Sequence, residues 1–250
     1  MNRLARKRIL FIGGIGHIGA AAVRAILAEG AQVAVADIDA VAGAAFTATL
    51  GEEARFFPVD VASEDSIAAL MADATAWLGG LDGLCQNAGF LAAGPTDSFA
   101  ADLWDKVYAI NVRGQFLGVK HALPHLRAAG GGAIVNMSSL AGKWGGGRRA
   151  AYSSAKAAVI GMGRSLAVEL AADNIRVNTL CPGWIDTPFN RPAIDEIGGD
   201  SAVAAMVAAT VPMGRQGRPE EVASSFVHLL SDEASYITGQ ALIIDGGSYC

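Results

Sequence analysis

Short apolar runs alternate with longer helical stretches along the whole chain, and this alternation narrows the fold more than any other feature. The pattern predicts strands at 8–12, 32–37, 55–60, 83–86, 133–138, 176–181 and 241–245. It predicts helices at 18–29, 40–50, 64–77, 99–127, 151–173 and 219–230. Several strand runs, such as Val33-Ala34-Val35-Ala36, are continuously apolar, as parallel strands covered on both faces are. Strand–helix units in series imply right-handed crossovers and an α/β, doubly wound parallel sheet of about seven strands. No repeat, low-complexity linker or composition break divides the 250 residues, so a single domain over 1–250 is expected. The least regular stretch, 182–211, carries Pro188, Pro192, Gly198 and Gly199 and follows a strand end. It is read as a substrate lid, spanning about 183–212.

Composition removes several classes of function. Hydrophobic residues make up 52% and charged residues 17%, enough apolar material for a substantial core. A net charge of −5 speaks against nucleic acid or an anionic membrane surface as a partner. No run of about 18 apolar residues is present, so no membrane span is expected. The basic start from Arg3 to Arg8 precedes only a brief apolar stretch and reads as a solvated N-terminus. Cys85, Cys181 and Cys250 are odd in number and lack metal-ligand spacing. Reduced thiols, a cytoplasmic location and no metal are therefore expected, with Cys85 and Cys181 as core residues.

Phe11-Ile12-Gly13-Gly14-Ile15-Gly16-His17-Ile18-Gly19 joins the first strand to the first helix. Gly14, Gly16 and Gly19 have G-x-G-x-x-G spacing, which lets backbone N–H groups approach a pyrophosphate at a helix N-terminus. A tight strand-to-helix turn also favours glycine, so position matters: this turn precedes Asp37 at the end of the second run. Together they read as a Rossmann-type dinucleotide site. A carboxylate at Asp37 suits the adenosine ribose hydroxyls and repels a 2′-phosphate, which selects NAD over NADP. Ile38 beside it, Asp60-Val61 after the third run and Asn87-Ala88-Gly89 after the fourth fall at strand ends, where such sheets place ligands.

Tyr152 and Lys156 stand four residues apart, on one face of an expected helix, with Ser139 thirteen residues upstream. A free phenol titrates near 10, too high for an efficient base at neutral pH. A neighbouring ammonium, together with the positive nicotinamide ring, is expected to lower that value, so that Tyr152 takes the proton of an alcohol while hydride leaves its carbon. Ser139 would hold the same oxygen, and Lys156 would tune Tyr152 and hold the nicotinamide ribose.

These residues resemble the short-chain dehydrogenase/reductase family, and the likeness runs nearly end to end. Tyr152 and Lys156 match its Tyr-x-x-x-Lys motif, Ser139 its partner serine, and Asn87-Ala88-Gly89 its Asn-Ala-Gly motif. Asn111, in Ile110-Asn111-Val112, matches the fourth catalytic position; the resemblance implies that it holds a water linking Lys156 to solvent. Pro182-Gly183-Trp184-Ile185-Asp186-Thr187 resembles the segment that binds the nicotinamide carboxamide through Ile185 and Thr187. Gly214 to Ala223 and Ile237 to Gly247 resemble its C-terminal signatures. The glycine turn departs from the main branch: Ile12 stands in a threonine's place and His17 in a glycine's. Gly13, Gly16 and Gly19 instead resemble the extended branch's spacing, for which this chain is too short. His17 is expected to fill space. Gln86, where the family often has asparagine, is expected to have little consequence. The resemblance also implies a homotetramer built on the two long helices.

Phe90, Leu91, Leu140, Trp144, Trp184 and Phe189, with Met206 and Val207 of the lid, are candidate pocket walls for an apolar, cyclic secondary alcohol or ketone. Lys143, Arg148 and Arg149 are either solvated or meet an acidic group on the substrate. Two other readings remain: a 3-oxoacyl-carrier-protein-type reductase, against which Asp37 counts, and a non-catalytic NAD sensor, against which the Asn111, Ser139, Tyr152 and Lys156 set counts.

Overall fold

The computed structural model describes residues 2–249; Cys250 lies outside them. Seven parallel strands form one sheet in the order β3-β2-β1-β4-β5-β6-β7. They are β1 Arg8–Ile12, β2 Gln32–Asp37, β3 Ala54–Pro58, β4 Gly83–Gln86, β5 Gly132–Met137, β6 Ile175–Pro182 and β7 Ala241–Ile244. The order reverses between β1 and β4, which opens a crevice at the carboxyl ends of those strands.

The two-residue period of a strand divides the core into two layers. On β1, Leu10 and Ile12 face one cluster with Ile67, Leu70, Leu117 and Leu166. Ile9 and Phe11 face the other, with Val23, Ile26, Val222 and Phe226. The first cluster is supplied by α3 (Glu64–Leu78), α5 (Gly114–Ala128) and α7 (Ala150–Leu170), the second by α1 (His17–Ala28) and α10 (Pro219–Leu230). Phe11 and Phe226 meet with ring centroids 5.1 Å apart. Each such buried large side chain contributes about 1.5–3 kcal/mol. Cys85 and Cys181 are fully buried free thiols in this core.

Local chemistry sets the helix ends. The Ser63 hydroxyl accepts from the Ser66 N–H at the start of α3, and Gly79 ends that helix with φ +71°. The Asp39 carboxylate accepts from the Ala42 N–H and starts α2 (Ala40–Thr47).

Three expectations need correction. The single helix read over 99–127 is α4 (Ala101–Tyr108), a π-helical turn (Ala109–Arg113) and α5. One residue is inserted into the helical ladder, which rotates Asn111 into the interior. The stretch at 182–211 is not irregular. Two helices, α8 (Arg191–Ile197) and α9 (Asp200–Thr210), pair through Ile194, Val203, Val207 and Val211. The helix read at 151–173 is α7 followed by a 3-10 turn, Ala171–Asp173.

Candidate active site

The glycine turn lies directly over the β1/β4 switch. Gly13 has φ +81°, and a Cβ there would sit 2.3 Å from the Ala88 backbone nitrogen. A Cβ on Gly19 would sit 2.2 Å from the Gly13 oxygen, and one on Gly14 2.6 Å from Val35 Cγ1. Only glycine fits these three positions. Gly16 has open space on its Cα, so its role is not steric packing within the protein. The Asn87 amide donates to the Gly13 oxygen at 2.7 Å and pins the turn to the end of β4. His17 is the first residue of α1 and lies exposed in the cleft, with Ile18 beside it; it is not packed into the interior. Ile12 is buried in the core.

Asp37 closes one end of this cleft. Its carboxylate accepts from the Ile15 N–H at 3.3 Å and the Ile38 N–H at 2.8 Å. No ion pair holds it among the described residues. Ile38 is 71% exposed, and Asp60, engaged by the Ala62 N–H at 2.9 Å, lines the same cleft with Val61, Ala88 and Gly89. A hollow at a helix N-terminus, with a carboxylate held by backbone N–H groups and no ion pair at its far end, fits a dinucleotide.

The cleft continues through Gly16, His17, Asn87, Gly89 and Phe189 into a second hollow lined by Ser139, Tyr152, Lys156, Pro182, Gly183, Ile185 and Thr187. Tyr152 and Lys156 lie one turn apart on the inner face of α7, 5% and 1% exposed. Lys156 Nζ donates to the Met137 oxygen at 3.0 Å and stands 5.6 Å from the centre of the Tyr152 ring. The Ser139 hydroxyl accepts from the Ala141 N–H at 3.2 Å as the chain leaves β5. Neighbouring Ser138 donates to the Lys156 oxygen at 2.7 Å and fixes α7 to the strand end. A small polar residue beside the candidate serine was its only sequence signal.

The electrostatics differ from expectation. Burial pushes the Tyr152 phenol up to about 12, opposed by the Ser139 hydroxyl and the positive charge of Arg149. Burial also pulls the Lys156 ammonium down to about 8. Burial dominates both shifts, so in the chain alone the phenol lies above its ordinary value and not below it.

Asn111 is fully buried. Its amide nitrogen donates to the Phe90 oxygen at 2.7 Å and the Val107 oxygen at 2.9 Å, and its oxygen accepts from the Phe90 N–H at 3.2 Å. The Ile185 oxygen accepts from Asn190 at 2.7 Å, a contact the sequence did not flag.

A third hollow adjoins Tyr152 and Ser139 and is walled by Leu91, Leu140, Trp144, Trp184 and Arg149. Phe90 is not part of it: it lines the Asp37 cleft, beneath Lys106 at 4.7 Å. Phe189 lines the cleft and the Tyr152 hollow, its ring 6.3 Å from that of Tyr152. Met206 and Val207 pack within the α8–α9 pair instead of lining the pocket, and Thr210 at the end of α9 reaches it. Arg148 is ion-paired to Glu196. Gln86 is buried and donates to the Gln115 oxygen at 2.8 Å and to Asn136 at 3.0 Å. Among the described residues no cluster suits a metal, and no helix is long and apolar enough to cross a membrane.

Comparison with known proteins agrees with this arrangement. A family model described as enoyl-(acyl carrier protein) reductase matches residues 14–249. Cis-4-hydroxycyclohexanecarboxylate dehydrogenase of Sinomonas cyclohexanicum is 42% identical, over 97% of this chain and 96% of its own. A 2,5-dichloro-2,5-cyclohexadiene-1,4-diol dehydrogenase of Sphingobium indicum is 39% identical, over 99% and 98%. A crystal structure of levodione reductase superposes with a TM-score of 0.93 at 33% identity, covering 97% of both chains. With a seven-stranded parallel sheet, a glycine turn at its switch point and likeness over nearly its full length, the chain belongs to the short-chain dehydrogenase/reductase family, nicotinamide-dependent oxidoreductases that interconvert secondary alcohols and ketones.

Proposed function

We propose that this chain is an NAD-dependent dehydrogenase of cyclic secondary alcohols, with Tyr152 as the proton-transfer group. One observation carries the reading. Ser139, Tyr152 and Lys156 converge on a hollow that opens on one side to the Asp37 cleft and on the other adjoins a pocket with both aromatic and polar walls. The relatives' names point to ring alcohols, and Leu91, Leu140, Trp144 and Trp184 suit an apolar ring.

The glycine turn and the N-terminus of α1 would receive the pyrophosphate, and Asp37 the adenosine ribose. Ile185 and Thr187 are placed for the nicotinamide end. Bound there, the cofactor supplies a hydride acceptor for the alcohol carbon. Ser139 holds the substrate oxygen by donating its hydroxyl hydrogen, and Tyr152 Oη takes or returns the hydroxyl proton. Lys156, fixed by the Met137 oxygen, keeps a positive charge beside the phenol. In its neutral form Tyr152 is ready to protonate a ketone; oxidation requires it first to lose its proton. The α8–α9 pair, within 183–212, closes over this pocket as a lid.

The exposed faces of the central helices support self-association, which the family resemblance makes a homotetramer. Phe116 and Trp104, 50% and 38% exposed, and Val168, 83% exposed, would be covered by a second copy. Light scattering tests this: a monomeric mass excludes it.

The function is tested by titrating the protein with NADH and NADPH and assaying NAD reduction with a panel of cyclic and acyclic secondary alcohols. Tight NADH binding and turnover of ring alcohols is the expected result. NADH binding without turnover of any alcohol or ketone would instead mean a sensor.

A further inference from the structure

Arg149 is the one charged side chain on the wall of the pocket beside Tyr152; that wall carries no Asp or Glu. It precedes Tyr152 by three residues, so the two share a face at the start of α7. Its guanidinium lies against Gly146, where an added Cβ would come within 2.6 Å of Nη2 and 2.8 Å of Cζ. On another side it stands 5.7 Å from the centre of the Trp184 ring. A bare glycine backbone and an indole thus hold the group in place without taking any of its hydrogens. Its guanidinium makes no hydrogen bond or ion pair with any described residue. Burial depresses its pKa, opposed only by Tyr152. The adjacent Arg148, by contrast, has an acid partner in Glu196. Arg149 is half-buried, so its guanidinium has lost part of its hydration without gaining a partner, and all its donors are free for a bidentate anion.

We propose that Arg149 binds a carboxylate on the substrate, so that the alcohol oxidised is a hydroxy acid whose apolar ring spans from Tyr152 to the guanidinium. This rests on the dehydrogenase reading given above and narrows it. The planar fork of Arg149 presents two parallel N–H donors, which two carboxylate oxygens match and a single hydroxyl does not. Leu91, Leu140 and Trp184 line the space that the ring would fill. Asn190, on the same wall, donates one amide hydrogen to the Ile185 oxygen and has a second for a carboxylate oxygen.

The test compares a hydroxycyclohexane carboxylate with its own carboxamide, which has the same shape and no charge. Wild-type kcat/KM is expected to favour the acid by about tenfold or more, the scale of a charge-assisted bidentate contact. In Arg149→Gln the acid-to-amide ratio falls towards one, mainly through KM, and Arg149→Lys restores part of it as a point charge. A wild-type ratio near one, or a ratio unchanged in Arg149→Gln, overturns the assignment while leaving the dehydrogenase reading intact. Calorimetry with unreactive cyclohexanecarboxylate in the presence of NADH separates the two. If no alcohol is turned over but this acid binds the wild type and not Arg149→Gln, the dehydrogenase reading fails and the anion site stands. If it binds neither protein, the anion site falls.

Discussion

Asn111 brackets the backbone of Phe90, donating to its oxygen at 2.7 Å and accepting from its N–H at 3.2 Å. The side chain thereby imitates a strand partner and fixes the loop that follows Asn87-Ala88-Gly89. The π turn makes this possible by rotating Asn111 inward. Asn111→Ala orphans both backbone groups, and the expected cost is about 2–4 kcal/mol, on the scale of about 1–3 kcal/mol per unsatisfied group. Urea denaturation measures it. A loss below about 0.5 kcal/mol would mean that the loop holds itself.

Tyr152→Phe removes one oxygen from a pocket whose walls are otherwise unchanged. NADH binding should persist while turnover falls by about a thousandfold or more, the scale of a lost proton-transfer group. The pH dependence has a definite sign. With the phenol pushed up to about 12, the neutral form predominates at ordinary pH in the chain alone. Alcohol oxidation needs the phenolate, so its kcat/KM should climb with pH, by up to about tenfold per unit below the operative pKa. Ketone reduction should not climb. A flat oxidation profile would remove Tyr152 from the proton path.

The fold was legible because strand and helix differ in period and length, and all seven strands fall where apolar runs predict. Gly13, Gly14 and Gly19 were legible because the close-packed turn there leaves no room for a Cβ. What the sequence hid depends on distance in space. Phe90 looked like pocket wall from its place after Gly89, yet the Asn111 clamp turns it towards Lys106. The phenol of Tyr152 was expected to be lowered by Lys156 and the nicotinamide ring; a lysine four residues away is visible in a sequence, whereas the burial that raises the phenol in the chain alone is not. Proline and glycine spacing made 182–211 read as the least regular stretch. There Pro188 and Pro192 start short helices and Gly198 ends one with φ +113°.

Lys156→Met should separate stability from activity. In the folded protein the ammonium is pulled down to about 8, whereas the unfolded chain keeps its ordinary value near 10.5. Between these values the unfolded state binds more protons, so stability rises as pH rises through the window. Below pH 8 the folded state carries the full burial cost, about 3 kcal/mol from the shift. Methionine removes that cost and forfeits the bond to Met137, worth about 1 kcal/mol. The variant should be inactive yet more stable by about 1–2 kcal/mol at pH 7, with the rise above pH 8 gone. Denaturation at pH 7 and pH 10 checks both; a destabilised variant would show that the Met137 contact outweighs desolvation.

Asp37→Asn keeps the shape of the carboxylate that accepts from Ile15 and Ile38 and removes its charge. If that charge excludes a 2′-phosphate, the NAD-to-NADP ratio of kcat/KM should fall by about 10–100-fold, or about 1.4–2.8 kcal/mol. Steady-state assays with both cofactors measure it. An unchanged ratio would place cofactor choice elsewhere in the cleft.

Gln86 and Gly118 provide the last test, because they reverse the sign of an ordinary substitution. Gly118 lies within α5, where alanine is normally favoured over glycine by about 1 kcal/mol. Here a Cβ would sit 2.1 Å from Gln86 Oε1 and 3.0 Å from its Cδ. Gln86 cannot move aside cheaply, since it is 2% exposed and holds the Gln115 oxygen and Asn136. Gly118→Ala alone should therefore cost about 1–3 kcal/mol through overpacking. Gln86→Asn withdraws the side chain by one methylene and vacates the space. In that background Gly118→Ala should become neutral or stabilising, with a coupling of at least about 1 kcal/mol in a double-mutant cycle by urea denaturation. Additive effects would mean that α5 shifts to accept the methyl group, and that the glutamine and the glycine are not a matched pair.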